Sequence, residues 1–368
     1  SVPGAELVYR FKDLVPSSTT MVIVNCGGRT RSIIGAQSLI NAGVPNNVVS
    51  LKDGTMAWHL AGFPITRGAD QRPPEISRAS AEAARRSAER VASALRIPRI
   101  DPATLAAWRA ESARRSLYVL DVRTPEEYEA GHVAGIRSAP GGQLVQETDN
   151  YLATWGARVV LADTDGARAV MTASWLKQMG WGDVAVIRLE DVPGSRVVGP
   201  HHPLALGLER ARVAAISPAE LKQRLEARTV TLIDLEYSKP YQNGHIPGAW
   251  FATRTRLGAA LERLAPAESI VLTSPDGDLA RIAAAELART ATLPVHALDG
   301  GTRAWTRAGY SLAQGADRMA DAADDVWLPP RERGGDRESA MRAYLAWEID
   351  LVNQMATDDD QRFKVAKI

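Results

Sequence analysis

The chain repeats itself. Within 368 residues, "LKDGTMAWHLAGFPI" (Leu51 to Ile65) returns as "LDGGTRAWTRAGYSL" (Leu298 to Leu312). The shared positions are Leu51/Leu298, Gly54/Gly301, Thr55/Thr302, Ala57/Ala304, Trp58/Trp305, Ala61/Ala308 and Gly62/Gly309. A second pair opens units rather than closing them. "YVLDVRTPEEYEAGHVAG" (118–135) matches "TLIDLEYSKPYQNGHIPG" (231–248), pairing Asp121 with Asp234, Tyr128 with Tyr241 and His132 with His245. "SAPGGQL" (138–144) matches "SVPGAEL" (1–7) and ties the first unit to the second. Repetition at this scale means several copies of one supersecondary unit.

The repeats divide the chain. Residues 1–70 form a first domain whose amino-terminal half is missing and which bears the only cysteine. Residues 71–99 read as a helical linker, 100–206 as a second domain, 216–315 as a third and 326–368 as a helical tail. The first domain lacks the opening strand, the first helix and the Gly-His turn. Either the natural chain starts earlier or this half borrows a strand. The first expectation is favoured, because a half-sheet leaves unpaired edges and an open core.

Inside each unit, short apolar strands alternate with helical stretches. Met21–Asn25 predicts a strand, Arg31–Ala42 a helix stopped by Gly43, Val48–Leu51 a strand and Thr55–Ala61 a short helix. The second unit repeats this with Val159–Ala162, Arg168–Met179 and Val184–Leu189. Such alternation predicts an α/β fold with parallel sheets flanked by helices. In the linker, Ile76, Ala83, Ser87, Val91 and Leu95 trace a weak apolar stripe, so a connecting helix with a solvated basic face is expected. In the tail, Met341, Tyr344, Leu345, Ile349 and Val352 predict an amphipathic helix docked on the third unit or on a partner.

Composition narrows the function classes. A net charge of +1 argues against nonspecific nucleic-acid binding driven by bulk charge. No apolar run is long enough for a membrane span. One cysteine excludes an internal disulfide framework and fits a reducing cytoplasmic compartment. The first ten residues do not read as a signal peptide. His201 and His202 lack a third ligand nearby in sequence, so no metal site is expected.

The single thiol, Cys26, sits in "VIVNCGGRTRS". A loop from a strand's carboxyl end to a helix's amino end is where open parallel sheets bind ligands. Gly27 and Gly28 are expected to let backbone N–H groups turn inward as an anion nest. The following helix adds its positive end, and Arg29 and Arg31 add full charge. A thiol at the start of this loop is expected to ionise readily and to lie beside an oxyanion site.

Together, "CGGRTRS", the closing "LKDGTMAWHLAGFP" and "LDGGTRAWTRAGY", and the opening "LDVRTPEEYEAGHVAG" and "LIDLEYSKPYQNGHIPG" resemble the rhodanese family, specifically tandem thiosulfate sulfurtransferases. The resemblance implies tandem rhodanese-like domains. It also implies a sulfurtransferase in which the loop cysteine takes sulfane sulfur from thiosulfate as a persulfide. A thiophilic acceptor, cyanide or a thiol, then removes that sulfur. On this resemblance Cys26 is the carrier, and Gly27, Gly28, Arg29, Thr30, Arg31 and Ser32 bind the small anionic donor, with no cofactor. The second unit carries Asp163 at the cysteine position and Arg168 at that of Arg31; the third carries Ser274 and Leu279. Both units are therefore expected to be inactive, and Asp121, Arg123, Asp234, His132 and His245 to be structural.

Two alternatives remain at this stage. One is a noncatalytic sulfur-relay or partner-binding module. The other is a phosphatase or arsenate reductase, disfavoured because only four residues separate Cys26 from Arg31 where those loops have five. The incomplete first unit and the helical tail leave room for a homodimer.

Overall fold

The computed structural model describes residues 1–264, 267–366 and 368. The chain forms two compact units, one of Ser1–His202 with Arg333–Ile368, the other of Pro203–Glu332.

Pro203–Glu332 contains the full form of the repeat. Its five parallel strands run in the order Trp250–Phe251, Val230–Asp234, Ser269–Thr273, Val295–Leu298, Ala214–Ile216. Alternating apolar residues feed both faces. Ile233, Leu272 and Ala297 pack one side against Ala280, Ala283 and Ala284 of the helix Asp278–Leu287. Leu232, Val271 and Leu298 pack the other against Leu221, Tyr241 and Trp305. A sheet buried on both faces needs continuous apolar strands, and Ser269–Thr273 is buried throughout.

The second domain, in the other unit, uses the same plan. Arg137–Ser138, Leu117–Asp121, Arg158–Asp163 and Val184–Arg188 lie parallel in that order, and Arg99 bridges Val186 at the outer edge. An antiparallel pair, His132–Val133 with Arg196–Val197, stands apart. Its helices start by local chemistry. Asp101 and Thr124 accept hydrogen bonds from backbone N–H groups three residues on, and each precedes a proline that fits the first helical turn.

Residues 1–70 supply only a two-stranded parallel sheet, Val22–Val24 with Val48–Ser50. Its core is not its own. Val8, Leu39 and Ala42 share one cluster with Ala84, Ala88 and Val91 of the linker and with Leu161, Val170 and Leu176 of the second domain. The linker helix Arg78–Leu95 buries Ser80, Ala84, Ala88, Val91 and Ala92, not the stripe through Ala83, Ser87 and Leu95. Small alanines let it lie close against its neighbours. Its arginines are also not simply solvated: Arg90 Nη2 donates to the Ala42 carbonyl at 2.6 Å and Arg85 Nε to that of Asp165 at 3.0 Å.

The helix Arg337–Ala356 packs Met341, Leu345 and Tyr344 against Met56 and Leu60, beside the cysteine-bearing segment. Ile349 and Val352, counted on the apolar stripe, are exposed.

The paired opening motifs coincide in detail. Tyr128 stacks on His132 and Tyr241 on His245, and each tyrosine hydroxyl donates to a carbonyl eight residues on, that of Ile136 or Ala249. Each histidine Nδ1 lies 2.9 Å from the carbonyl of its own tyrosine. All four rings are buried.

Candidate functional site

The loop after Val22–Val24 carries Cys26 to the wall of a cavity of about 640 Å³, which Asn25, Gly27 and Arg31 also line. Its backbone is fixed from the short helix Gly54–Leu60. Thr55 N–H donates to the Cys26 carbonyl at 2.9 Å and Met56 N–H to that of Gly27 at 3.0 Å. Gly54 makes this approach possible. Its φ is +59°, and a Cβ there would sit 2.1 Å from the Gly28 oxygen and 2.4 Å from that of Cys26. The third domain repeats the junction: Thr302 and Arg303 N–H groups donate to Ser274 and Pro275 carbonyls, and a Cβ on Gly301 would lie 2.0 Å from the Ser274 oxygen. The Gly-Thr in "DGTMAW" and "GGTRAW" is thus a brace for this loop.

The first side chain of each loop reaches the residue six positions on. Cys26 Sγ lies 3.5 Å from Ser32 Oγ, Asp163 Oδ2 accepts from Ala169 N–H at 2.8 Å, and Ser274 Oγ accepts from Ala280 N–H at 3.2 Å. These contacts place Asp163 and Ser274 at the cysteine's position.

The residues expected to surround the sulfur divide between faces. Cys26, Gly27 and Arg31 border the cavity, and Arg31 is exposed. Ser32 is buried and donates to the Arg29 carbonyl at 2.9 Å, closing the first turn under the sulfur. Arg29 turns to Asp53, Nη1 to Oδ1 3.0 Å, so its charge is matched by a carboxylate rather than left for an anion. Thr30 faces the tail helix: its N–H and its hydroxyl both donate to Glu348 Oε1, at 3.2 and 2.6 Å. Gly28 does not lie in the left-handed region. Its role is space, since a Cβ there would meet Glu348 Oε2 at 3.0 Å and Tyr344 Cε1 at 3.1 Å.

Glu348 was not singled out from the sequence, yet a signal was present. It follows Met341, Tyr344 and Leu345 at helical spacing, so a carboxylate lies on the buried stripe.

The second domain's loop is filled from within. Asp163 Oδ1 accepts from Gly166 N–H, and Asp165 Oδ1 from the N–H groups of Ala167 and Arg168. Arg168 is buried among carboxylates: Nε on Asp165 at 2.7 Å, Nη1 on Glu6 at 2.8 Å, and both Nη atoms on Glu127 at 2.5 and 2.9 Å. Burial and the nearby Asp165 charge push the Asp163 carboxyl up to about 7, despite its backbone hydrogen bonds. Burial also acts to raise Glu127, but the hydrogen bond and charge of Arg168 win and hold it at about 2.

In the third domain, Asp234 has Glu236 where the second domain has Arg123 beside Asp121. Burial pushes Asp234 up to about 7. No group of three or more His, Cys, Asp or Glu side chains among the described residues is placed to hold a metal. Nor is any described helix long and apolar enough to cross a membrane.

The rhodanese-like domain family matches residues 101–189 and 217–308. A crystal structure of a thiosulfate sulfurtransferase from Pseudomonas aeruginosa is 46% identical with a TM-score of 0.91, over 100% of this chain and 69% of that one. A helix-turn-helix type transcriptional regulator of Mycobacterium tuberculosis is 31% identical over 215 residues, covering 55% of this chain and 86% of its own. Two α/β domains with the same strand order and the same tyrosine–histidine stack agree with these matches: the chain belongs to the rhodanese family.

Proposed function

We propose that the chain is a sulfurtransferase that moves sulfane sulfur from thiosulfate to a thiophilic acceptor, cyanide or a thiol, through a Cys26 persulfide. The observation that carries this reading is the placement of Cys26 itself. Its half-exposed sulfur stands at a strand's carboxyl end, on a braced loop, beside a cavity shared with the exposed Arg31. The likeness to the Pseudomonas thiosulfate sulfurtransferase supports it.

In the first half-reaction the Cys26 sulfur attacks the outer sulfur of thiosulfate. The sulfur–sulfur bond of the donor breaks and sulfite leaves with the electron pair. Arg31 is the guanidinium left to meet the departing charge, because Arg29 is held by Asp53. Donors fixed before reaction stabilise such charge best. In the second half-reaction the acceptor attacks the outer sulfur and Cys26 leaves as thiolate. One site serving both halves predicts ping-pong kinetics. Asp163 and Ser274 give the other two loops no sulfur to carry.

Mass spectrometry after thiosulfate treatment tests the reading. A gain of about 32 Da, one sulfur, on the Cys26 peptide is expected. Absence of that gain on the folded protein, or a gain that survives Cys26→Ser, overturns it.

A further inference from the structure

The match between the first two units runs through "SVPGAELVY" (1–9) and "SAPGGQLVQ" (138–146), so Glu6 corresponds to Gln143 and Tyr9 to Gln146. In the loops, Arg31 corresponds to Arg168. The two copies pack on each other through equivalent residues. Trp175 Nε1 donates to Ser38 Oγ at 2.8 Å, and these residues hold the same place after Arg168 and Arg31. The turns also meet their own counterparts. A Cβ on Gly141 would lie 3.1 Å from the Ala5 Cβ, and one on Gly142 would lie 3.7 Å from the Gly4 nitrogen. Like meeting like is the pattern of a local two-fold axis.

Such an axis creates two equivalent places, each between the loop arginine of one copy and the turn of the other. In one, Glu6 Oε1 accepts from Arg168 Nη1 at 2.8 Å, and Arg168 Cζ lies 4.7 Å from the centre of the Tyr9 ring. In the other lies the cavity beside Cys26, lined by Arg31, Gln143 and Gln146. All three are exposed, and neither glutamine amide has a hydrogen-bond partner among the described residues. The exchange of acid for amide decides what this place can take. A carboxylate cancels a guanidinium and repels an anion; an amide does neither, and its NH2 group donates.

We propose that Gln143 and Gln146, carried by the second domain, complete the sulfur-donor site of Cys26: their amide N–H groups bind the sulfonate oxygens of thiosulfate beside Arg31. This rests on the persulfide reading of Cys26 for the identity of the anion. The second domain, whose own loop has no sulfur, thus lends the site two neutral donors. Their neutrality is the selective feature, because it leaves the charge of Arg31 for the dianion.

Two readouts on the full chain test this. The first is kcat/KM for thiosulfate with cyanide as acceptor, which in ping-pong kinetics reads the donor half-reaction alone. Gln143→Glu sets at Arg31 the carboxylate that Glu6 sets at Arg168, and should lower this value by about tenfold or more, mainly through KM. Replacing Gln143 and Gln146 together by Ala should lower it by about tenfold, the scale of hydrogen bonds to a charged group. The second readout needs no sulfur transfer. Cys26 is the only cysteine, so alkylation rates belong to it alone. Iodoacetate is an anion and iodoacetamide is neutral, and in both the thiolate displaces iodide. Gln143→Glu should lower the iodoacetate-to-iodoacetamide rate ratio by about fivefold. Gln37→Glu, at an exposed position on the same helix as Arg31 and off the cavity wall, should leave that ratio unchanged. An unchanged kcat/KM for thiosulfate in either the Glu or the double Ala variant overturns the proposal. So does an alkylation ratio that Gln143→Glu moves no more than Gln37→Glu does. If Gln143→Glu folds poorly, the double Ala variant decides. Failure of wild-type Cys26 to gain sulfur would instead sink the persulfide reading, and the alkylation ratio would still decide whether Gln143 belongs to an anion site.

Discussion

Two loops of the same build, 26–31 and 163–168, do opposite things with their donors. Both leave the carboxyl end of a parallel strand, and in both the first side chain contacts the residue six positions on. In the second domain Asp163 and Asp165 occupy the backbone N–H groups, and Arg168 is enclosed by Asp165, Glu6 and Glu127. That arginine also lies over the Tyr9 ring, so it joins the amino-terminal segment to the second domain. In the cysteine loop the corresponding Arg31 is exposed and borders a cavity. In the second domain the same loop is a structural knot. A loop geometry is therefore not an activity; what matters is whether its donors and its guanidinium are free when a ligand arrives.

The sharpest way to break this comparison is to give the second loop a thiol. Asp163→Cys should gain no sulfur from thiosulfate, while Cys26 in the same molecule gains the one that the proposed function expects. Peptide mass spectrometry reads both sites in one sample. Uptake at position 163 would show that the enclosed Arg168 does not matter. Within the cysteine loop, the proposed function expects Arg31→Ala to lower kcat/KM for thiosulfate by about a hundredfold, the loss expected when a positioned charge donor is removed. Arg31→Lys should recover part of this, because a point charge remains without the planar fork. Arg29→Ala should cost much less, since Asp53 already matches that charge. Equal losses at both arginines would erase the distinction between them.

The brace gives the next test. Gly54→Ala and Gly301→Ala each force a Cβ into a backbone oxygen at a positive φ, and should destabilise by roughly 3 kcal/mol. Thermal unfolding measures both. The first should also lower sulfur uptake, the second should not.

Much of this was legible because the repeats share local causes. The tyrosine–histidine stack is short-range, and both it and the Gly-Thr brace recur as letters in the same order. The alternation of strand and helix carried the α/β fold for the same reason. What the sequence hid was long-range. Glu348 reaches Thr30 across 318 positions, and no local rule pairs them. The matched charge of Arg29 was hidden because Asp53 is 24 residues on. The linker stripe was misjudged because alanines carry little periodic signal, so Ala84 and Ala88 were passed over for Ala83 and Ser87. The tail's docking face was misplaced because its stripe, read as apolar, contains an acid.

The smallest expected effect separates the two loops by pH. Folding raises the Asp163 carboxyl from the ordinary range to about 7, through burial first and then the charge of Asp165. A group whose folded form holds its proton more tightly stabilises the fold at low pH, and this is lost as pH rises from about 4 through about 7. Glu127 runs the other way: held at about 2 against burial by Arg168, its contribution is complete above about 4.5 and lost only toward pH 2. Asp234, raised to about 7 by burial, follows Asp163 but is common to wild type and variant. Asp163→Asn cannot ionise, and it sets an amide NH2, which cannot accept, against one of the two N–H groups, of Gly166 and Ala169, that lie on the Asp163 oxygens. The variant should therefore start about 1 kcal/mol less stable near pH 5, and the gap should close or reverse by pH 8. Parallel unfolding curves across that window would mean that the buried pair does not titrate there, and that the second loop holds its carboxylates without electrostatic strain.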